Sequence, residues 1–220
     1  MKILVCDDHA LFREGVAHAL RELDAKAELL EAADGAEALR LAQANSDLDL
    51  VLLDLNMPGT DGWTGLARLQ KSCPTLPVVI LSASEEPADA RRAIDSGAAG
   101  YVPKSTRGAV LRAALQLVLS GGVYLPPHLL SGDGSAAPTG SSSLAQRRKR
   151  AEGLTERQLE VLRLMSRGLT NTEIGNVLGV ALGTVKAHVT AVFEALDVSN
   201  RTEAALVMRD LGIDQEDAGS

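Results

Sequence analysis

Val51-Leu52-Leu53-Asp54-Leu55-Asn56-Met57-Pro58-Gly59 is a short apolar run that ends on a carboxylate and then breaks into a Pro/Gly turn. Folded as a buried strand, it delivers Asp54 to the rim of a sheet. In open parallel α/β sheets, sites form at that carboxyl end of the strands. A second run, Lys2-Ile3-Leu4-Val5-Cys6, ends on the adjacent pair Asp7-Asp8. As parallel neighbours, the two runs bring three carboxylates to one edge, where like charges repel unless a cation or protons neutralise them. A small, oxygen-only ligand set suits Mg²⁺, which is usually completed by waters and a phosphate. The acids therefore point to phosphoryl chemistry, with Asp54 as nucleophile and Asp7 and Asp8 holding the metal that neutralises the transferring group.

Two later runs end in groups that such a site needs. Pro77-Val78-Val79-Ile80-Leu81 leads into Ser82-Ala83, a hydroxyl beside a small residue that leaves the rim open, and Ala98 to Pro103 leads into Lys104, a cation suited to a phosphoryl oxygen. Between the runs lie segments of helical periodicity at 9–23, 35–44, 62–72, 87–96 and 107–120, with a weak strand at 28–32. Regular alternation of strand and helix predicts a parallel sheet covered on both faces, because right-handed crossovers place the helices there. Five strands and five helices give a flavodoxin-like fold.

The chain has 220 residues, which allows one large domain or two small ones. It is 45% hydrophobic with a formal net charge of −7, as in ordinary globular proteins. No apolar stretch approaches the roughly eighteen residues that cross a bilayer, and a cytoplasmic location without membrane contact is expected. Cys6 and Cys73 fit free thiols in a reducing compartment. His9 and His18 lack partners at metal-ligand spacing and are assigned to outer or surface roles, while Trp63 is expected to be partly buried or to contact a partner.

After residue 124 the pattern changes. Ser131 to Ser143 contains no large apolar residue, and Arg147-Arg148-Lys149-Arg150 is a basic run; residues 125–152 read as a flexible linker. Beyond it the pattern is wholly helical. Thr155-Glu156-Arg157-Gln158 and Thr170-Asn171-Thr172-Glu173 are capping boxes, Gly168 suits a left-handed cap, and a third helix runs from about Leu182 to Leu196. Asn200-Arg201-Thr202-Glu203 opens a fourth. Helices joined by a tight Gly-containing turn suggest a helix-turn-helix reading the major groove.

Asp7-Asp8, Asp54 with Met57-Pro58-Gly59, Ser82-Ala83, and Gly100-Tyr101 with Lys104 resemble the receiver domain of two-component response regulators over residues 1–124. The resemblance implies that a sensor histidine kinase phosphorylates Asp54, and that Asp8, Asp54, the Asn56 main-chain carbonyl and, through water, Asp7 hold Mg²⁺. It further implies that Lys104 contacts the phosphoryl group, and that Ser82 and Tyr101 swing inward on phosphorylation. Such a protein is a phosphoacceptor that assists its own reaction and not an enzyme with a separate substrate. Residues 153–213 resemble the LuxR-type DNA-binding domain of the NarL/FixJ class through Leu154-Thr155, Glu160-Val161-Leu162, Gly168-Leu169-Thr170-Asn171, Glu173-Ile174, Thr184-Val185-Lys186 and His188; residues 214–220 form a tail. Thr184, Lys186, Ala187, His188, Thr190 and Arg201 are the DNA contacts the resemblance implies, and promoter DNA is the expected ligand. Across 153–213 there are six Lys/Arg and seven Asp/Glu. So weak a basic footprint predicts that one domain binds DNA poorly and that homodimers formed on phosphorylation supply the affinity.

Two other readings compete at this point. A haloacid-dehalogenase-type phosphohydrolase also places an aspartate after a strand, but needs a second acid two positions on, where this chain has Asn56. A protein-binding adaptor domain would also suit the sparse basic residues.

Overall fold

The computed structural model describes residues 1–57, 60–129, 151–198 and 200–211. The basic run 147–150, most of the proposed linker and the tail 214–220 lie outside the described residues. Five strands, β1 (Lys2–Cys6), β2 (Glu28–Ala32), β3 (Leu50–Asp54), β6 (Val78–Ser82) and β7 (Gly100–Pro103), form one parallel sheet in the order β2-β1-β3-β6-β7. A two-residue ladder that the residue pattern did not suggest, β4 (Asn56–Met57) against β5 (Thr60–Asp61), closes the turn after Asp54.

The helices are α1 (Ala10–Leu23), α2 (Gly35–Ala44), α3 (Gly62–Ser72), α4 (Pro87–Asp95) and α5 (Gly108–Leu119). The central three strands carry apolar runs, Ile3 to Cys6, Leu50 to Leu53 and Val78 to Leu81, that are buried on both faces, as a sheet between two helical layers requires. Leu4, Val51, Leu53 and Ile80 pack with Leu66, Leu69 and Ala93 from α3 and α4, while Val5, Leu52 and Val79 pack with Leu20, Leu111 and Leu115 from α1 and α5. The strand alternation thus feeds two separate cores. Gly62 has to lack a side chain, because a Cβ there would lie 2.4 Å from the Leu55 Cα; the absence of one lets α3 begin against the end of β3.

The receiver-like unit extends past residue 124. Tyr124 bridges to Gly100 at the sheet edge, and Leu129, in a short 3-10 turn (Pro127–Leu129), is buried in the first core. The apolar Leu125 and Leu129 draw this segment onto the sheet. Likewise Ala151 belongs to the C-terminal core, so the spacer between the two cores is shorter than 125–152.

The C-terminal unit contains α6 (Glu156–Ser166), α7 (Asn171–Leu178), α8 (Leu182–Leu196) and α9 (Arg201–Leu211) around Val161, Leu162, Ile174, Val185, Val189 and Leu196. Both capping boxes form, Thr155 with Gln158 and Thr170 with Glu173, and each ties down two otherwise unsatisfied helix-start amides. The α7 and α8 axes meet at 110° across the break at Gly179 to Ala181, the geometry of a helix-turn-helix. Gly168 and Gly179 take φ of +84° and +64°.

Candidate functional site

The parallel register places Asp54 opposite Leu81, with Ser82 opposite Pro103. Asp7 follows β1, Asp54 ends β3, Ser82 ends β6 and Lys104 follows β7, so four separate strand ends meet at one rim. Asp7 and Asp54 are fully buried. Lys104 Nζ stands 2.7 Å from Asp7 Oδ2 and 2.7 Å from Asp54 Oδ2. Two buried like charges at this spacing are tolerable because the ammonium sits between them. Burial draws the Lys104 pKa down, but its hydrogen bonds and charge attraction to Asp54 and Asp7 outweigh that and leave it above the ordinary lysine value. The Phe12 ring lies under the same ammonium, 5.0 Å from its centroid.

The remaining oxygens are held from the backbone. Asp54 Oδ1 accepts from the Asn56 amide at 3.0 Å, and Asp7 Oδ1 accepts from the His9 amide at 2.8 Å. A cleft of about 560 Å³ opens over Asp54, Asn56, Ala83 and Lys104, lined on one side by His9 and Phe12. Asp7 Oδ2, although close to Lys104, receives no well-aligned hydrogen bond. A buried carboxylate oxygen left in that condition, beside Asp8 and Asp54, is the chemistry of a divalent-ion site. Asp7, Asp8, His9 and Asp54 offer donor atoms that all lie within 4.8 Å of one another.

Ser82 is fully buried and accepts from the Ser84 amide, and the Tyr101 ring is fully buried with its hydroxyl donating to the Ser84 carbonyl at 2.9 Å. Burial pushes the Tyr101 phenol up. The inward movement implied for Tyr101 therefore meets a side chain that already occupies the inward position, pinned to the loop after β6. Two contributors escaped the residue pattern. Arg13 donates to the Asp7 carbonyl and pairs with Glu31, tying the ends of β1 and β2. His9, assigned an outer role, places Nδ1 2.8 Å from Asp8 Oδ1 and 3.3 Å from Asp7 Oδ1; its adjacency to the acid pair was the available signal. Cys6, behind the site, is pushed up to about 12 by burial and is inert as a nucleophile. Trp63 is half-buried, with Arg92 stacked 4.1 Å from its ring.

On α8, Thr184 and Ala187 are exposed, and His188 and Thr190 are half-buried. Lys186 is different: its ammonium donates to the carbonyl of Ser46, in the loop before β3. Burial holds it below the ordinary lysine value, against the pull of Cys73, Asp49 and Asp47. Thr172 meets Asp49 at 3.4 Å, and Thr190 lines a small cleft with Pro74. Lys186 and Thr190 of the expected DNA face thus meet the receiver-like unit, at the end of the sheet opposite Asp54, while Thr184 and Ala187 stay exposed. Arg201 has to be taken off that face. It is 9% exposed, and its guanidinium donates inward to the Met165 and Leu169 carbonyls at the end of α6. Burial pushes it down to about 10. The carbonyls at and just past a helix C-terminus carry partial negative charge and attract a cation; the Met165 carbonyl accepts from the Gly168 amide as well.

The chain matches the family described as "Response regulator receiver domain" over residues 3–116 and that described as "Bacterial regulatory proteins, luxR family" over residues 152–208. It is 40% identical over 211 residues to the "Glycerol metabolism activator" of Pseudomonas putida, covering 96% of both chains. It is 34% identical to the nitrate/nitrite response regulator protein NarP of Escherichia coli, covering 94% of this chain and 93% of that one. A LuxR-family two-component response regulator from Aurantimonas sp. SI85-9A1 superposes with a TM-score of 0.55 at 31% identity, over 59% of this chain and 91% of that one.

Proposed function

The chain belongs to the response regulators, joining a receiver domain to a LuxR-type DNA-binding domain, and on that footing we propose that Asp54 takes a phosphoryl group from a histidine kinase in the cytoplasm. It is a DNA-binding transcription regulator of the two-component kind. The observation that carries the Asp54 assignment is the Lys104 ammonium bridging Asp54 and Asp7 beneath an open cleft.

An Asp54 carboxylate oxygen attacks phosphorus. The bond from phosphorus to the donor imidazole breaks, and that imidazole leaves with the electron pair. Asp7, Asp8, Asp54 and the Asn56 carbonyl would hold Mg²⁺, which neutralises charge on the transferring group when bound. Lys104 moves its donated hydrogen bond from the carboxylate to a phosphoryl oxygen. The Asn56 amide keeps the acyl group oriented, and Ser82 and Tyr101 sense the change at the adjoining strand ends.

Of the two outputs, dimerisation through the 87–120 segment and release of the DNA-binding domain, the position of Lys186 favours release. A recognition-helix lysine that is bonded to the Ser46 carbonyl cannot at the same time meet a phosphate. Phosphorylation shifts a closed–open equilibrium toward the open form, and homodimers on paired half-sites then compensate for the weak charge of each domain.

Incubation with acetyl phosphate and Mg²⁺, followed by mass spectrometry, tests the assignment. One added phosphoryl group on Asp54, absent in Asp54→Asn, is the expected result. Modification that persists in the variant refutes it.

A further inference from the structure

Each base pair shows the major groove its own pattern of groups: guanine is read by Arg or Lys, adenine by Asn or Gln, cytosine by Asp or Glu, and the thymine methyl by alanine or the threonine methyl. The sequence of α8, Leu182 to Leu196, holds one Lys, one Glu and no Arg, Asn or Gln. We infer that α8 selects a thymine-rich half-site, in which Thr184 and Ala187 pack on thymine methyl groups and Lys186 reads a single guanine. The inference rests on the reading of α8 as the helix that enters the major groove.

The side of α8 that faces away from its core decides what a base would meet. Val185, Val189, Val192 and Leu196 are buried among the other helices of the C-terminal unit. At about 3.6 residues per turn, the opposite side carries Gly183, Ala187 and Ala191 along its centre, with Thr184 and Thr190 at its borders and Lys186 on one flank. Gly183, Thr184 and Ala187 are exposed, and a Cβ on Gly183 would meet nothing within 4 Å. No side chain on this central strip is longer than threonine before Glu194, so bases can approach the helix closely and the groups they meet are methyls. Glu194 stands in the last turn, about 10 Å beyond Ala187. A helix-turn-helix turns the N-terminal residues of its second helix to the base edges, which leaves Glu194 outside the reading set. Thr184 to Thr190 rises about 9 Å, the length of about three base pairs.

Lys186 displays its acceptor chemistry in the closed arrangement. Its ammonium donates to the Ser46 carbonyl, a neutral oxygen, although Asp47 and Asp49 stand near enough to attract it. Guanine O6 is also a neutral carbonyl oxygen, and in the open form it takes the place of the Ser46 carbonyl. The charge of the domain points the same way. Six Lys/Arg against seven Asp/Glu over 153–213 leave little for phosphate contacts, whereas methyl-to-methyl packing needs no net charge and releases no counterions.

The test selects duplexes from a pool with randomised paired half-sites, using full-length protein treated with acetyl phosphate and Mg²⁺, and sequences those retained at low salt. Each retained half-site is expected to carry thymines beside a single guanine. The retained duplex is then remade with uracil in place of those thymines, which deletes the methyl and keeps the base pairing, and its affinity is read by fluorescence anisotropy. Affinity is expected to fall about fourfold for each contacted methyl lost, the effect of burying one such group. Thr184→Ser, which keeps the hydroxyl and the helix, and Ala187→Gly each abolish the uracil penalty at one thymine, while Lys186→Ala relaxes the choice of guanine alone. Unchanged affinity on uracil substitution, retained duplexes rich in G·C pairs or without a shared sequence, or a uracil penalty that survives in both variants overturns the inference and leaves DNA binding standing. Retention of no duplex at low salt overturns the placement of α8 in the groove as well.

Discussion

Gly168→Ala is expected to open the closed arrangement without any phosphoryl group. Gly168 has φ of +84°, and a Cβ on it would lie 2.1 Å from the Ser120 carbonyl oxygen and 2.9 Å from its carbonyl carbon. Ser120 caps α5 of the receiver, so this contact crosses between the two units. The left-handed conformation costs an alanine about 1–2 kcal/mol, and that cost is shared by the open and closed forms. The clash exists only in the closed form. Both partners are backbone, so relief requires the two units to separate by more than about an ångström, an overpacking penalty of about 1–3 kcal/mol. That penalty raises the open-to-closed ratio about 5- to 150-fold, and the apparent DNA affinity of a mostly closed protein rises with the open fraction. Fluorescence anisotropy with duplex DNA at low salt measures it, on the unphosphorylated full-length protein. Acetyl phosphate is expected to add little further affinity to the variant. A folded Gly168→Ala protein whose DNA affinity equals that of the wild type would refute the view that closure hides the recognition helix.

Three further substitutions probe the two units. Lys104→Met leaves two buried carboxylates facing one another and is expected to destabilise the receiver by about 3 kcal/mol in metal-free buffer, with Mg²⁺ restoring much of the loss in thermal melts. Because the folded-state pKa of Lys104 is raised, its contribution is fully present below about pH 10.4 and is lost as pH rises through the folded value. Melting curves of wild type and variant converge there, and a gap that persists above it contradicts the assignment. Arg201→Ala removes the guanidinium donor shared by the Met165 and Leu169 carbonyls and is expected to destabilise the C-terminal unit by about 2 kcal/mol; DNA binding that fails while that unit melts normally would instead return Arg201 to the DNA face. Ala181 begins α8 without a side-chain cap, so Ala181→Ser is expected to add about 1 kcal/mol, or about 4–8 °C for so small a unit. An unchanged melting temperature counts against the missing cap.

Much of this architecture was readable from local patterns. Apolar runs at 50–53 and 78–81 can be buried on both faces only between two layers of helices. Thr155 and Thr170 announced their helices through bonds made within four residues. Asp7, Asp54, Ser82 and Lys104 were recognisable as a site because parallel strands with helical crossovers carry all their carboxyl ends to the same edge. The sequence by itself therefore determined the main strands and helices, though not the short β4–β5 ladder, and which strand ends converge, since those outcomes depend on neighbouring residues and on chain handedness. Other features depended on groups far apart in the chain. Nothing near Lys186 announces the Ser46 carbonyl, nothing in Asn200-Arg201 announces the Met165 and Leu169 carbonyls, and nothing at Gly168 announces Ser120. Whether a given cation faces DNA, a partner surface or a helix end is decided by which long-range surface packs against it, and only the tertiary structure supplies that surface.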